Sequence, residues 1–155
     1  MSLHQECQML RNVPMFAGLD GSKLKLLSFA SDRVSFMPGE EFIHQGERGE
    51  DAYLILDGTA EVVVETNQGE VAMSEMGRNH LVGIIAVLHN GLRTATVRAK
   101  TDVVCLKLPK DVFFHLIRDL PDFSLAVMRE LADTVDRTTL QLREAVSAAD
   151  RLKVN

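Results

Sequence analysis

The chain has 155 residues, 46% of them hydrophobic and 25% charged, which is enough for one globular domain with a buried core. Its formal net charge is -5 and it has no cluster of Lys and Arg, so we expect no nucleic-acid binding by this piece itself. The longest apolar run, residues 81–88, is far shorter than the ~20 residues of a membrane span, and we expect a cytoplasmic protein that does not bind membranes.

The N-terminal part, residues 1–30, is predicted to hold two helices. Residues 3–12 have the apolar spacing of a short amphipathic helix. Pro14 ends that pattern, because a proline biases the residue before it towards extended geometry. Asp20 or Ser22 can cap the second helix through a side-chain oxygen.

The middle part, residues 31–108, is predicted to be a compact antiparallel β structure. Its short runs of alternating apolar residues are separated by turns that contain glycine. Residues 60–64 and 71–76 are typical of the two strands of a hairpin. The loop at residues 46–51, GERGED, is interpreted as a solvated acidic turn, since a loop that binds a hard cation needs several spaced carboxylates.

The last part, residues 109–155, has helical periodicity. A short helix over residues 110–118 is followed by an interruption at residues 120–122, and residues 123–152 contain neither glycine nor proline. Apolar residues there alternate spacings of three and four, with one threonine among them: Met128, Leu131, Val135, Thr138, Leu142, Ala145, Ala149 and Leu152. This seam predicts a homodimer through a parallel two-stranded coiled coil, although the helix could also pack its stripe onto its own β structure.

One stretch, residues 81–97, combines features that suit an anion. Gly83 allows close backbone approach, a short helical turn after it has amides without partners, and Arg93 follows. A guanidinium can meet a phosphate through two parallel hydrogen bonds. Spacing alone leaves a second interpretation open, in which Arg93 is an ordinary solvated arginine at the start of a strand.

Together with residues 36–64, FMPGEEFIHQGERGEDAYLILDGTAEVVV, this stretch resembles the phosphate-binding cassette of the cyclic nucleotide-binding domain family, in the form found in catabolite-activator-like (CRP/FNR) sensors. The resemblance covers roughly residues 13–142. It implies one mainly β domain over residues 1–155, with flanking helices, a β-roll (a double-stranded β-helix of jelly-roll type) and a long C-terminal helix. It also implies cAMP or cGMP as the ligand and no metal.

Within the cassette, Gly83, Ala86 and Arg93 fall on the family's glycine, alanine and phosphate-binding arginine. Ile84 takes the place of the family's glutamate, whose carboxylate accepts a hydrogen bond from the ribose 2′-hydroxyl, and Leu92 takes the place of a proline. A hydrogen bond to a charged group contributes roughly 1.5–3 kcal/mol, so its loss predicts about tenfold to hundredfold weaker binding. Ile84 by itself also favours a ligand without a free 2′-hydroxyl.

The resemblance yields a set of candidate ligand-binding residues in the cassette and on the long helix: Gly83, Ile84, Ile85, Ala86, Arg93, Thr94, Ala95, Thr138 and Thr139. The two threonines, together with Gln141, are candidates to reach the base. For Thr138 the other interpretation is a residue that sets the register of the seam.

Sequence motifs of catalytic or metal sites are absent. Cys7 and Cys105 are far apart and form no CxxC pair, and the five histidines show no HxxxH or HExxH spacing. There is also no G-x-S-x-G elbow and no P-loop. These absences predict no enzyme. The resemblance implies a regulatory sensor that binds a cyclic nucleotide or a related phosphate-bearing small molecule and passes this binding to its C-terminal helix, as part of a CRP/FNR-type transcription regulator. The alternative is a ligand-independent dimerisation module with a degenerate pocket.

Overall fold

The computed structural model describes residues 2–154, with side chains through residue 153. Its N-terminal part holds α1 (Leu3–Arg11), a 3₁₀ turn (Pro14–Phe16) and α2 (Gly21–Ala30). The predicted cap is present, because Asp20 accepts a hydrogen bond of 2.9 Å from the backbone N–H of Lys23. Both N-terminal helices are therefore confirmed.

Eight strands follow in chain order: β1 (Asp32–Phe36), β2 (Glu41–Ile43), β3 (Asp51–Asp57), β4 (Ala60–Thr66), β5 (Gly69–Met76), β6 (Leu81–Val82), β7 (Thr96–Ala99) and β8 (Val103–Pro109). They form two four-stranded antiparallel sheets, in the orders β1-β8-β3-β6 and β2-β7-β4-β5. The short helix α3 (Ile84–His89) lies between β6 and β7. This sandwich with flanking helices confirms the predicted β-roll, including the β4–β5 hairpin.

Two apolar clusters hold the elements together. Between the sheets, the rings of Phe36 and Phe42 stack with their centroids 4.5 Å apart. Beneath the helices, the rings of Phe113 and Phe123 meet edge to face at 5.7 Å. Full burial of such a side chain contributes about 1.5–3 kcal/mol, so the second cluster fixes the helices against one sheet.

The C-terminal part contains α4 (Lys110–Asp119) and α5 (Pro121–Val154). Leu120 has extended geometry and separates them, and Pro121 begins α5, where a missing N–H leaves no helical bond unmade. The 34 residues of α5 span about 51 Å. The predicted interruption and the long C-terminal helix are confirmed.

Within the described part of α5, apolar side chains are buried against the rest of the chain only in the first turns. Phe123 and Val127 lie in the helical cluster and Leu131 packs against it. Further along, seam residues such as Val135 and Leu142 are each 63% exposed. The first turns of α5 therefore pack onto the rest of the chain, whereas pairing between subunits through the later turns stays a prediction. No helix within residues 2–154 is both long and apolar enough to cross a membrane.

Candidate anion-binding pocket

The turn from β6 into α3 is built around Gly83. Its φ of +81° lies in the left-handed region, which favours glycine. A Cβ at this position would lie 2.6 Å from Nη1 of Arg93 and 2.8 Å from Cδ1 of Ile43. Gly83 is therefore required twice, once for the backbone conformation and once for the close approach of the arginine.

Arg93 is held beneath this turn by backbone carbonyl groups. Its Nη1 donates to the carbonyl oxygen of Gly83 at 2.7 Å, and its Nη2 donates to that of Asp51 at 2.5 Å. The residue is 9% exposed, and burial lowers the pKa of its guanidinium, which still stays charged at neutral pH. Two of the five N–H donors are used in these bonds, so the group can still offer donors to an anion.

The GERGED loop packs against the cassette. The backbone N–H of Gly46 donates to the carbonyl oxygen of Arg93 at 2.9 Å, and that of Gly49 donates to Gly91 at 3.1 Å. A Cβ on Gly49 would lie 2.4 Å from Cβ of Ala86, so both positions need small residues. The sequence interpretation of this loop as a solvated turn missed that contact. Among residues 2–153, no group of three His, Cys, Asp or Glu side chains could hold a metal ion.

The cassette opens into a cavity of about 290 Å³. The candidate residues that line it are Gly83, Ile84, Ile85, Ala86, Arg93, Thr94, Ala95 and Thr138. Thr139 is exposed on α5 and does not line it. The structure thus brings eight of the nine candidates to one place, while their roles towards a ligand stay predictions.

Four polar residues of α5 also line the cavity: Gln141, which the sequence analysis named as a candidate to reach the base, and Glu130, Thr134 and Arg137, which it did not select. Their spacings of four, three and four residues place them on one face of the helix. The same spacing is present in the sequence beside the apolar seam. Only the position of the β-roll shows that this face of α5 meets the cavity. The cavity is therefore closed on one side by a polar stripe of α5.

The charges on that stripe are partly buried. Burial raises the pKa of Glu130 above its ordinary value, while interactions with His80 and Arg137 lower it in part and the interaction with Asp133 raises it. Nη2 of Arg137 donates to Oγ1 of Thr134 at 3.2 Å. The cavity thus contains a carboxylate on α5 in addition to the cation of the cassette.

At the position of the family's glutamate, Ile84 is 4% exposed and belongs to the apolar cluster beneath the helices while also lining the cavity. It supplies no hydrogen-bond acceptor from its side chain. The cassette therefore keeps the family's arginine at Arg93 and lacks its carboxylate at Ile84.

Comparisons with known proteins agree with this geometry. A family model described as "Cyclic nucleotide-binding domain" matches residues 33–119. The cAMP-dependent protein kinase regulatory subunit of Blastocladiella emersonii is 32% identical over 114 residues, which cover 73% of this chain and 28% of that protein. The chain thus spans less than a third of this relative, which is a regulatory protein by name.

Solved structures show the same fold. The regulatory subunit of a cAMP-independent protein kinase A from Trypanosoma brucei superimposes with a TM-score of 0.71 at 31% identity, over 91% of this chain and 52% of that one. A mutant of that subunit bound to cAMP matches with a TM-score of 0.63 at 32% identity, over 82% and 51%. The catabolite activator protein of Thermus thermophilus has a TM-score of 0.71 at 26% identity, over 86% and 63%. By its matching residues, its relatives and its fold, the chain belongs to the cyclic nucleotide-binding domain family.

Proposed function

We propose that the chain is a regulatory module that binds cAMP or cGMP in the cavity and passes the event to α5. The observation that carries this proposal is the guanidinium of Arg93, which Gly83 and Asp51 hold at the cavity through their carbonyl oxygens. A buried, pre-oriented guanidinium loses little side-chain entropy when it binds a phosphate, and it remains charged.

The mutant kinase subunit bound to cAMP supports a cyclic phosphate as the ligand. Its substitutions include a new arginine and, seven residues before it, an alanine in place of a glutamate. Ala86 and Arg93 have the same spacing in this chain, and Gly49 packs so closely on Ala86 that a larger side chain would not fit. The third substitution places an alanine directly after the arginine, where this chain has Thr94.

The signal would leave through α5. Thr138 lines the cavity and also falls within the apolar seam, so one helix carries both the ligand contact and the surface for a second copy. A ligand can shift the position of α5 only if it binds one arrangement more tightly than the other. The similarity to catabolite activator protein supports a homodimer within a CRP/FNR-type transcription regulator.

The free thiols of Cys7 and Cys105 suit a reducing compartment, and we place the module in the cytoplasm.

A second candidate function is a dimerisation module that binds no ligand. The observation that favours it is Ile84, which leaves the position of the family's glutamate without an acceptor. Both functions would use the same apolar seam for dimerisation, so ligand binding in the pocket is what distinguishes them.

Thermal unfolding with and without 1 mM cAMP or cGMP (chosen assay concentrations) tests the proposal. Ligand at about a hundred times its Kd stabilises by roughly 2.7 kcal/mol, which raises the midpoint of a domain of this size by about 5–10 °C. We expect Arg93→Lys to lose most of this rise because an ammonium lacks the planar fork, and we expect the exposed control Arg11→Gln to keep it. If neither nucleotide raises the midpoint of the unaltered chain, the sensor proposal fails and the dimerisation module remains.

A further inference from the structure

We propose that Glu130 of α5 accepts the hydrogen bond of the ligand's ribose 2′-hydroxyl, in place of the carboxylate that is missing at Ile84. This inference rests on the proposed function and assigns its sugar-recognition residue. It reverses the expectation drawn from Ile84 alone, which was a preference for a ligand without that hydroxyl.

The position of Glu130 supports a contact with the sugar. Glu130 and Ile84 line the same cavity of about 290 Å³. The carboxylate of Glu130 interacts electrostatically with His80, which precedes Ile84 by four residues, and therefore lies over the start of the cassette. In a 3′,5′-cyclic nucleotide the phosphate ring is fused to the ribose, so a ligand whose phosphate meets Arg93 must place its ribose beside the cassette.

The carboxylate of Glu130 has no hydrogen-bond partner within the described residues and can therefore accept a bond from a ligand. Within residues 2–153 its carboxylate accepts no hydrogen bond and has no cation within 4.0 Å, although the side chain is half-buried and faces the cavity. Arg137 and His80 interact with it from a greater distance. Among the described residues no buried side-chain oxygen lacks a partner, so the oxygens of Glu130 are reached by water, which a ligand hydroxyl would replace as the donor.

The base is the other part of the ligand that could contact Glu130. The positions of the lining residues along α5 argue against that contact. Thr138 and Gln141 lie further along α5, with Gln141 about 16 Å from Glu130 along the axis. Gln141 bonds to Met73, so this end of the stripe lies beside β5, whereas Glu130 interacts with His80. A base extends away from the fused phosphate and ribose, so we assign the distal residues to it and Glu130 to the sugar.

Calorimetric titration of cAMP and 2′-deoxy-cAMP tests this assignment. We expect the unaltered chain to bind cAMP at least about tenfold more tightly than the deoxy analogue, the effect of one hydrogen bond to a charged acceptor. In Glu130→Gln the preference should fall to about twofold or less, mainly through weaker binding of cAMP. The matched control is Asp133→Asn, which removes the same charge from an exposed position one turn along α5 and should leave the preference unchanged.

A second variant distinguishes sugar recognition from a structural role of Glu130. Adding Ile84→Glu to Glu130→Gln restores a carboxylate at the family position, and we expect the preference for the ribose form to return. The same titrations with cGMP and its deoxy form show whether the effect depends on the base.

Each contrary outcome has its own meaning. Equal binding of cAMP and 2′-deoxy-cAMP by the unaltered chain overturns the assignment of Glu130 and leaves the nucleotide sensor intact. A Glu130→Gln variant that changes only the ranking of cAMP against cGMP makes Glu130 a base contact and also overturns it. Failure of the unaltered chain to bind any of the nucleotides overturns the proposed function itself, and the assignment with it.

Discussion

The side-chain amide of Gln141 donates a hydrogen bond of 2.7 Å from Nε2 to the carbonyl oxygen of Met73. This bond joins α5 to β5 beside the cavity. Both residues line the cavity, so α5 is docked at its edge. A ligand in the cavity would act on this docked position of α5 by making it more or less favourable.

We expect Gln141→Ala to loosen this part of α5. One neutral hydrogen bond contributes about 0.5–1.5 kcal/mol, so ligand affinity should fall by about twofold to tenfold if the docked helix is the binding form. Hydrogen exchange followed by mass spectrometry should show faster exchange in residues 135–153, and the exposed neighbour Arg143→Ala serves as the control. Unchanged exchange in Gln141→Ala would show that the bond does not hold the helix.

Gly83→Ala should damage both the fold and the pocket. The new Cβ would lie 2.6 Å from Nη1 of Arg93, and alanine would have to adopt a φ of +81°, which costs of order 1–3 kcal/mol. We expect a lower unfolding midpoint and at least about tenfold weaker nucleotide binding, measured by calorimetry.

The matched control is Gly21→Ala. A Cβ at that position meets nothing within 4 Å, and the residue lies in the first turn of α2, where alanine is a better helix former. Its midpoint should stay the same or rise slightly. Equal effects of the two substitutions would contradict the special role of Gly83.

The local part of the site could be predicted because Gly83, Ala86 and Arg93 resemble the family's cassette, whereas their spacing alone left a solvated Arg93 open. Gly83 and Arg93 are ten positions apart, and one turn with a short helix brings them together. The contact of Gly49 with Ala86 and the place of Glu130 depend on packing between distant segments, which no periodicity encodes. The strands and helices could be predicted because the period of the apolar residues along the chain indicates which face of each element is buried. Thr139 was selected beside Thr138, but neighbouring helical residues point about 100° apart, and only Thr138 faces the cavity.

Glu130→Gln should stabilise the chain without ligand at neutral pH. The folded-state pKa of Glu130 is raised above its model-peptide value of 4.5, chiefly by burial, although His80 and Arg137 lower it in part. A group with a raised pKa favours folding when it is protonated, and that contribution is lost as the pH rises through the folded pKa. The unfolding midpoint of Glu130→Gln should therefore exceed that of the unaltered chain most clearly near pH 7, and the difference should shrink towards pH 4.5. A difference that grows on acidification would contradict this account.

The two thiols should differ in reactivity. Cys105 is 0% exposed, and burial raises its pKa to about 12, so almost no thiolate is present at pH 8. Cys7 is partly exposed on α1. We expect iodoacetamide at pH 8 to label Cys7 alone in the folded chain and both residues after denaturation, as detected by peptide mass spectrometry. Labelling of Cys105 in the folded state would indicate that the space between the sheets opens.

The apolar seam of α5 gives the last prediction, which concerns the homodimer. Met128, Val135 and Leu142 recur every seven residues and are 62%, 63% and 63% exposed, so a single chain leaves this stripe in water. A parallel partner helix would bury it, and a carboxylate at its centre would lose hydration without a counter-charge. We therefore expect the unaltered chain to sediment as a dimer and Val135→Glu to sediment as a monomer. Leu140→Glu, at a 54% exposed position outside the seam, should remain dimeric. A monomer in all three cases would show that the stripe does not pair in this chain, and ligand binding would then have to act through α5 of a single subunit.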